Sequence, residues 1–167
     1  MQSSMNARIV LSILFLAAAH VASAQQKVPT PSQEETLAKW PWSISLQTAP
    51  FKQQTVEFTL APNEGMEYKY RLEKGAAMLY SWTASGELHW ELHSQPDGAP
   101  QGYAEFFDTN QGRGSNGVYN AAFTGIHGWW WENKSDREVT ITLVTAGYYT
   151  ESLEFRAKQP IKTTPLK

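Results

Sequence analysis

The stretch Met78-Leu79-Tyr80-Ser81-Trp82, followed past Ser85-Gly86 by Leu88-His89-Trp90-Glu91-Leu92-His93, decides the fold. Met78, Tyr80 and Trp82 alternate with Leu79, Ser81 and Thr83. Leu88, Trp90 and Leu92 alternate with His89, Glu91 and His93. A period of two places one set on a core and the other on a wetter face, which is the pattern of half-buried strands. The same pattern recurs on both sides. Val56, Phe58 and Leu60 alternate with Glu57 and Thr59; Tyr68, Tyr70 and Leu72 with Lys69, Arg71 and Glu73; Val139, Ile141 and Leu143 with Thr140 and Thr142. Turn signals lie between the runs at Pro62 to Gly65, Lys74-Gly75, Ser85-Gly86, Pro96-Asp97-Gly98, Asn110 to Gly117 and Asn133 to Asp136. Weaker strands fit Tyr103 to Asp108, Val118 to Phe123 and Gly128 to Glu132. About eight short strands with no helical period between them predict an all-β fold, an antiparallel β-sandwich of jelly-roll type.

The flanks differ in composition. Met1 to Ala24 carries one early charge, Arg8, then the stretch Ile9 to Ala19 and the small residues Ala22-Ser23-Ala24. Eleven residues of helix cover roughly 16 Å, about half of a hydrocarbon core of about 30 Å. This segment reads as a signal peptide cleaved before Gln25, the alternative being an uncleaved membrane anchor. The expected location is therefore periplasmic or secreted, or anchored to the inner membrane and facing the periplasm. Residues 25–50 are rich in Pro and Gln and read as an arm with a short helical turn at Glu34 to Lys39; Trp40 and Trp42 suggest that its end docks. Residues 51–150 form the expected sandwich, and 151–167 a polar tail that frays after Phe155.

The whole chain has 167 residues with net charge −2 and no cysteine. Near neutrality excludes a broad footprint for nucleic acid, and membrane contact is expected only through residues 1–24. Lack of cysteine excludes a disulfide scaffold, an iron–sulfur cluster, a thiol nucleophile and Cys-ligated zinc.

Val56-Glu57-Phe58-Thr59-Leu60, then Glu67-Tyr68-Lys69-Tyr70 and Lys74-Gly75, resembles the opening of a GOLD-type domain. Phe123 to Asn133, containing His127-Gly128-Trp129-Trp130-Trp131-Glu132-Asn133, and then Val139 to Leu143 are similar to its close. The chain also resembles uncharacterised bacterial exported or membrane-anchored proteins with this His-Gly-Trp-aromatic-Trp-x-Asn stretch. The resemblance spans roughly residues 53 to 149 and implies a β-sandwich; it carries no activity. GOLD domains of cargo receptors commonly hold a disulfide, which this chain lacks.

Two features point to a site. His89, Glu91 and His93 share one strand face about 6.5–7 Å apart, so two imidazoles and a carboxylate can meet a metal ion, with His127 closing the shell. That donor set suits zinc or copper. The alternative is that these side chains simply occupy a wet face, with His127 hydrogen-bonded to backbone. The second feature is aromatic. Trp129, Trp130 and Trp131 must point to alternate faces, so with Tyr103 they offer a stacking surface for a sugar ring, or else they fill the core. Gln111 to Gly117 resembles a phosphate loop but lacks the Lys-Ser/Thr ending and following helix, and reads as a hairpin connection. Asn133-Lys134-Ser135 is a glycosylation sequon in form. No nucleophile elbow and no His-Glu-x-x-His is present, and no pair among Glu87, Glu91, Glu105 and Asp108 stands out for sugar hydrolysis. The expectation is a non-catalytic exported binding or accessory protein of the cell envelope, contacting protein or glycan. A periplasmic metal-handling protein and a small glycan hydrolase are the alternatives.

Overall fold

A computed structural model describes residues 30–41 and 45–166; the expected signal segment 1–24 and Trp42 lie outside them. Residues 30–41 belong to a unit of their own. It contains α1 (Gln33–Lys39), the helical turn expected there. Ser32 starts it with a capping box: the Glu35 N–H donates to Ser32 Oγ at 3.1 Å, and the Ser32 N–H donates to Glu35 Oε2 at 2.7 Å. No helix of the described residues is long and apolar enough to cross a membrane.

The rest of the described chain is antiparallel β. Its strands are β1 (Lys52–Leu60), β2 (Gly65–Leu72), β3 (Ala77–Pro96), β4 (Glu105–Asn120), β5 (Gly125–Glu132), β6 (Val139–Gly147), β7 (Glu151–Arg156) and β8 (Lys162–Pro165). They form one sheet in the order β1-β6-β3-β5-β2-β7-β8, with β4 paired to β3. The long strand β3 organises it. Its first half, Met78–Ala84, pairs with β6 and its second half, His89–Pro96, with β5, while β4 follows both halves along the other side.

Between the halves β3 kinks. Thr83 pairs with Gly114 and Leu88 with Gly112, so the β3 residues between them lie opposite Arg113 alone. Gly86 sits at the corner, where a Cβ would lie 2.7 Å from Val139 Cγ2, and the Thr140 N–H donates to Ser85 Oγ at 2.9 Å. Ser85-Gly86 is therefore a bend within one strand rather than the expected turn between two. Asn110–Gly117 corrects in the same way. Its small residues let β4 hug the bent strand, and a Cβ on Gly114 would meet the Trp82 carbonyl at 2.8 Å.

The bend lays one half of the sheet over the other. Phe58 of β1 meets Tyr68 and Trp131 at ring-centroid distances of 4.7 and 6.2 Å. Tyr80 meets Trp129 at 4.9 Å, and Trp82 meets Trp131 edge-on at 5.7 Å. Met66, Leu72, Met78, Leu88, Ile141 and Leu143 complete an enclosed core. The result is a curled all-β antiparallel sheet, compatible with a β-sandwich.

The C-terminal segment adds β7 and, beyond Phe155 where fraying was expected, β8. Arg156 holds the join: it donates to Glu64 at 2.6 Å, Glu154 at 2.7 Å and the Thr59 carbonyl at 3.2 Å. Beyond β8, the Leu166 N–H donates to the Thr150 carbonyl at 2.9 Å.

Candidate functional site

The tryptophan triplet lies in β5, and the pleat separates its rings. Trp129 and Trp131 point into the core, fully enclosed, their rings stacked at 5.8 Å. The rings alternate between faces as the strand pattern implies, and Trp129 and Trp131 take the core-filling alternative. Trp130 stands half-buried on the outer face. There it pairs across the ladder with Glu67 on β2 and with Glu91 on β3, giving a row of carboxylate, indole, carboxylate across three strands. Gly65 shapes the indole's position: a Cβ there would sit 3.2 Å from Trp130 Nε1. Tyr103 lies exposed before β4, its hydroxyl donating to the Glu105 carboxylate.

The next row is Lys69, Gly128, His93. Only glycine fits at position 128, because a Cβ there would run into the Tyr68 carbonyl oxygen. Lys69 is completely enclosed although it belongs to the outer face. Its ammonium donates to the His93 carbonyl at 3.0 Å and lies 3.4 Å from Glu67. Burial lowers the Lys69 pKa to about 8 from 10.5, against the attraction of Glu67 and Glu91. Burial alone would raise the Glu67 pKa; the hydrogen bond with His93 and the charge of Lys69 outweigh it and hold the carboxyl low. His93, 5% exposed, sits between two carboxylates, Nε2 3.6 Å from Glu67 and Nδ1 3.5 Å from Glu91. Phe106 covers its ring at 5.3 Å and is itself 61% exposed. The surface thus presents two aromatic faces over a charge network that is largely neutralised from within.

His89, Glu91 and His93 do share a face, as the alternation implies. His127 does not join them. It pairs with Ser94 and faces the core, on the other side of the sheet. Its Nε2–H donates to the Phe123 carbonyl at 2.9 Å, so Nδ1 accepts from the Tyr119 hydroxyl at 2.8 Å. Ser94 Oγ then donates to the Tyr119 oxygen at 3.1 Å. Burial lowers the His127 pKa to about 4, keeping the ring neutral. Among the described residues no three His, Asp or Glu side chains form a group that holds a metal ion, so the four-residue zinc or copper shell is not assembled. Asn133 is likewise no glycan acceptor. Its buried amide donates to the carbonyls of Leu60, Ala61 and Arg137 at 3.2, 3.0 and 2.7 Å.

Glu67, Lys69 and Phe106 are not among the candidate site residues that the sequence marks. The alternation of Glu67 and Lys69 with Tyr68 and Tyr70 puts them on the outer face. Their importance comes from the neighbours, which only the strand order supplies. Compared with known proteins, the sequence matches no family model and no curated protein.

Proposed function

We propose that the chain is a non-catalytic, exported binding protein of the cell envelope that contacts saccharide through the outer face of β2, β5 and β3. The observation that carries this reading is Trp130, held out of the core between Glu67 and Glu91. An indole face packs against the apolar face of a pyranose, and flanking carboxylates accept its hydroxyl hydrogens. Phe106 extends the aromatic surface, and Lys69 with His93 fixes the carboxylates from beneath. Preorganisation of that kind reduces the entropy lost on binding. The finer fold assignment, a GOLD-like sandwich of jelly-roll type, rests on the Val56–Gly75 and Phe123–Leu143 motifs and on the face-to-face halves of the curled sheet. Periplasmic or secreted location rests on the signal-like character of residues 1–24.

Tryptophan fluorescence titrated with a panel of neutral and acidic polysaccharides tests the proposal. A saturable change lost in Trp130→Ala is expected. A flat response across the panel, or one unchanged in Trp130→Ala, removes it.

A further inference from the structure

The row beyond Trp130 leads to a second feature. Along β3, His89 precedes Glu91 by one outward position, about 6.5–7 Å away, and it pairs with Glu132 on β5 and Gln111 on β4. Beside that row a cavity of about 280 Å³ opens at the corner where β3 bends. Arg113 enters from β4, opposite the bulge. Lys134, Ser135 and Arg137 enter from the connection between β5 and β6, and His89 closes the side toward Trp130.

The charges are unequal in their partners. Lys134 is matched by Glu132 at 3.1 Å. Glu87, the only carboxylate in the lining, accepts a hydrogen bond from Gln111. Asp136 and Glu138 flank Arg137 in sequence but do not line the cavity. Arg113 and Arg137 have no carboxylate within ion-pair distance among the described residues. Two arginines from separate elements therefore line one concavity of a protein whose net charge is negative. A guanidinium offers a planar fork of donors matched to an oxyanion. The segment that looks like a phosphate loop in the sequence, Gln111 to Gly117, thus contributes two residues of a strand, Gln111 and Arg113, rather than a cradle of backbone N–H groups.

We infer that this cradle binds the anionic substituent of an acidic saccharide, a carboxylate, phosphate or sulfate, on a chain that also lies across Trp130. The inference rests on the saccharide reading of Trp130 and adds the charge class to it. Continuity of the two features on one outer face favours a saccharide over an anionic membrane.

Calorimetric titration of the full chain with dextran and with dextran sulfate, which share a backbone and differ in charge, tests it. Wild type is expected to bind the sulfated polymer about tenfold more tightly or better, since hydrogen bonds to charged groups are among the stronger ones. Arg113→Ala with Arg137→Ala abolishes that preference. Lys74→Gln with Lys158→Gln changes net charge equally at distant turns and leaves the preference within about twofold of wild type. Equal binding of both polymers by wild type, no binding of dextran sulfate, or a preference that survives in the arginine variant overturns the inference. So does an equal loss in the lysine variant, and so does binding to anionic phospholipid vesicles with none to dextran sulfate. Trp130→Ala separates the two readings. If it leaves both polymers unaffected while the arginine variant loses the preference, the Trp130 surface fails and the anion cradle stands.

Discussion

The hairpin of β3 and β4 carries two outer faces, one before its bend and one after, and their chemistry is opposite. Before the bend, Val118, Leu79 and Ala146 form one cross-strand row, and Asn116, Ser81 and Val144 the next. Leu79, Val118 and Val144 are 54%, 63% and 46% exposed and meet no buried charge there. After the bend the same strand contributes Glu91 and His93, set against Glu67, Lys69 and Trp130. One strand with one alternation thus yields an aliphatic skin and a buried ion network. What differs is the neighbour, β6 with β1 on one side of Gly86 and β5 with β2 on the other. A strand's period decides which side chains share a face; the strand order decides what that face can do.

Both faces rest on one core, and removing its centre tests whether they do. Trp131→Ala deletes a fully enclosed ring that touches Phe58 and Trp82 and is expected to cost about 3–5 kcal/mol. Trp130→Ala, one residue away on the outer face, is expected to cost about 1 kcal/mol. Denaturant unfolding measures both. If the two faces share a core, Trp131→Ala lowers a single transition. Two separated transitions, or equal losses at the two positions, would break the comparison.

The second test erases the charge that distinguishes the faces. Lys69 titrates near 10.5 when exposed and near 8 in the fold. Between those values the unfolded chain holds more protons, so stability rises with pH. The full shift corresponds to at most about 3 kcal/mol. Above about pH 10 the buried hydroxyls of Tyr68, Tyr119 and Tyr149, whose pKa values burial raises, turn the curve down. Lys69→Met is expected to flatten the rise between pH 8 and 10. It adds no more than about 2 kcal/mol at pH 7, because the His93 carbonyl loses its donor at about 1 kcal/mol. Unfolding free energies at half-unit pH steps check this, and an unchanged slope in Lys69→Met would sink the assignment.

This division marks how far the sequence could be read. Alternation alone places Leu88, Trp90 and Leu92 inside and His89, Glu91 and His93 outside, because side-chain period is a local property. The bend at Gly86 was not legible as a bend: Ser-Gly marks a turn in most contexts, and only the continuous partner β4 makes it a kink in one strand. His127 misled for the same reason. Its position next to Gly128 gives no parity, and the ladder with Ser94 puts it on the core side. That Arg113 and Arg137 line one cavity depends on β4 and the β5–β6 connection meeting at the bend of β3, which no spacing in the sequence encodes.

His127 supplies the acid counterpart to Lys69. Its folded pKa of about 4 lies below the ordinary 6.5, so the unfolded chain takes up the proton first and stability falls as pH drops from 6.5 to 4. The loss is at most about 3 kcal/mol across that window. His127→Gln is expected to be less stable at pH 7 and to lose less between pH 6.5 and 4.5. A parallel pair of curves would show that the ring is not the titrating group.

The smallest effect is expected on the aliphatic face. Leu79→Thr with Val144→Thr changes exposed side chains without hydrogen-bond partners to lose, and stability should move by no more than about 0.5 kcal/mol per site. Glu91→Gln, at the same outer level beyond the bend, should cost more, about 1 kcal/mol, because His93 then keeps only Glu67 as a charged partner. If the threonine pair cost more than Glu91→Gln, the aliphatic rows would be structural packing and the contrast between the two faces would be one of degree. The expected order makes it one of kind. The first face is indifferent to its side chains, whereas the second encloses a histidine bracketed by Glu67 and Glu91 and a lysine held by Glu67 and the His93 carbonyl.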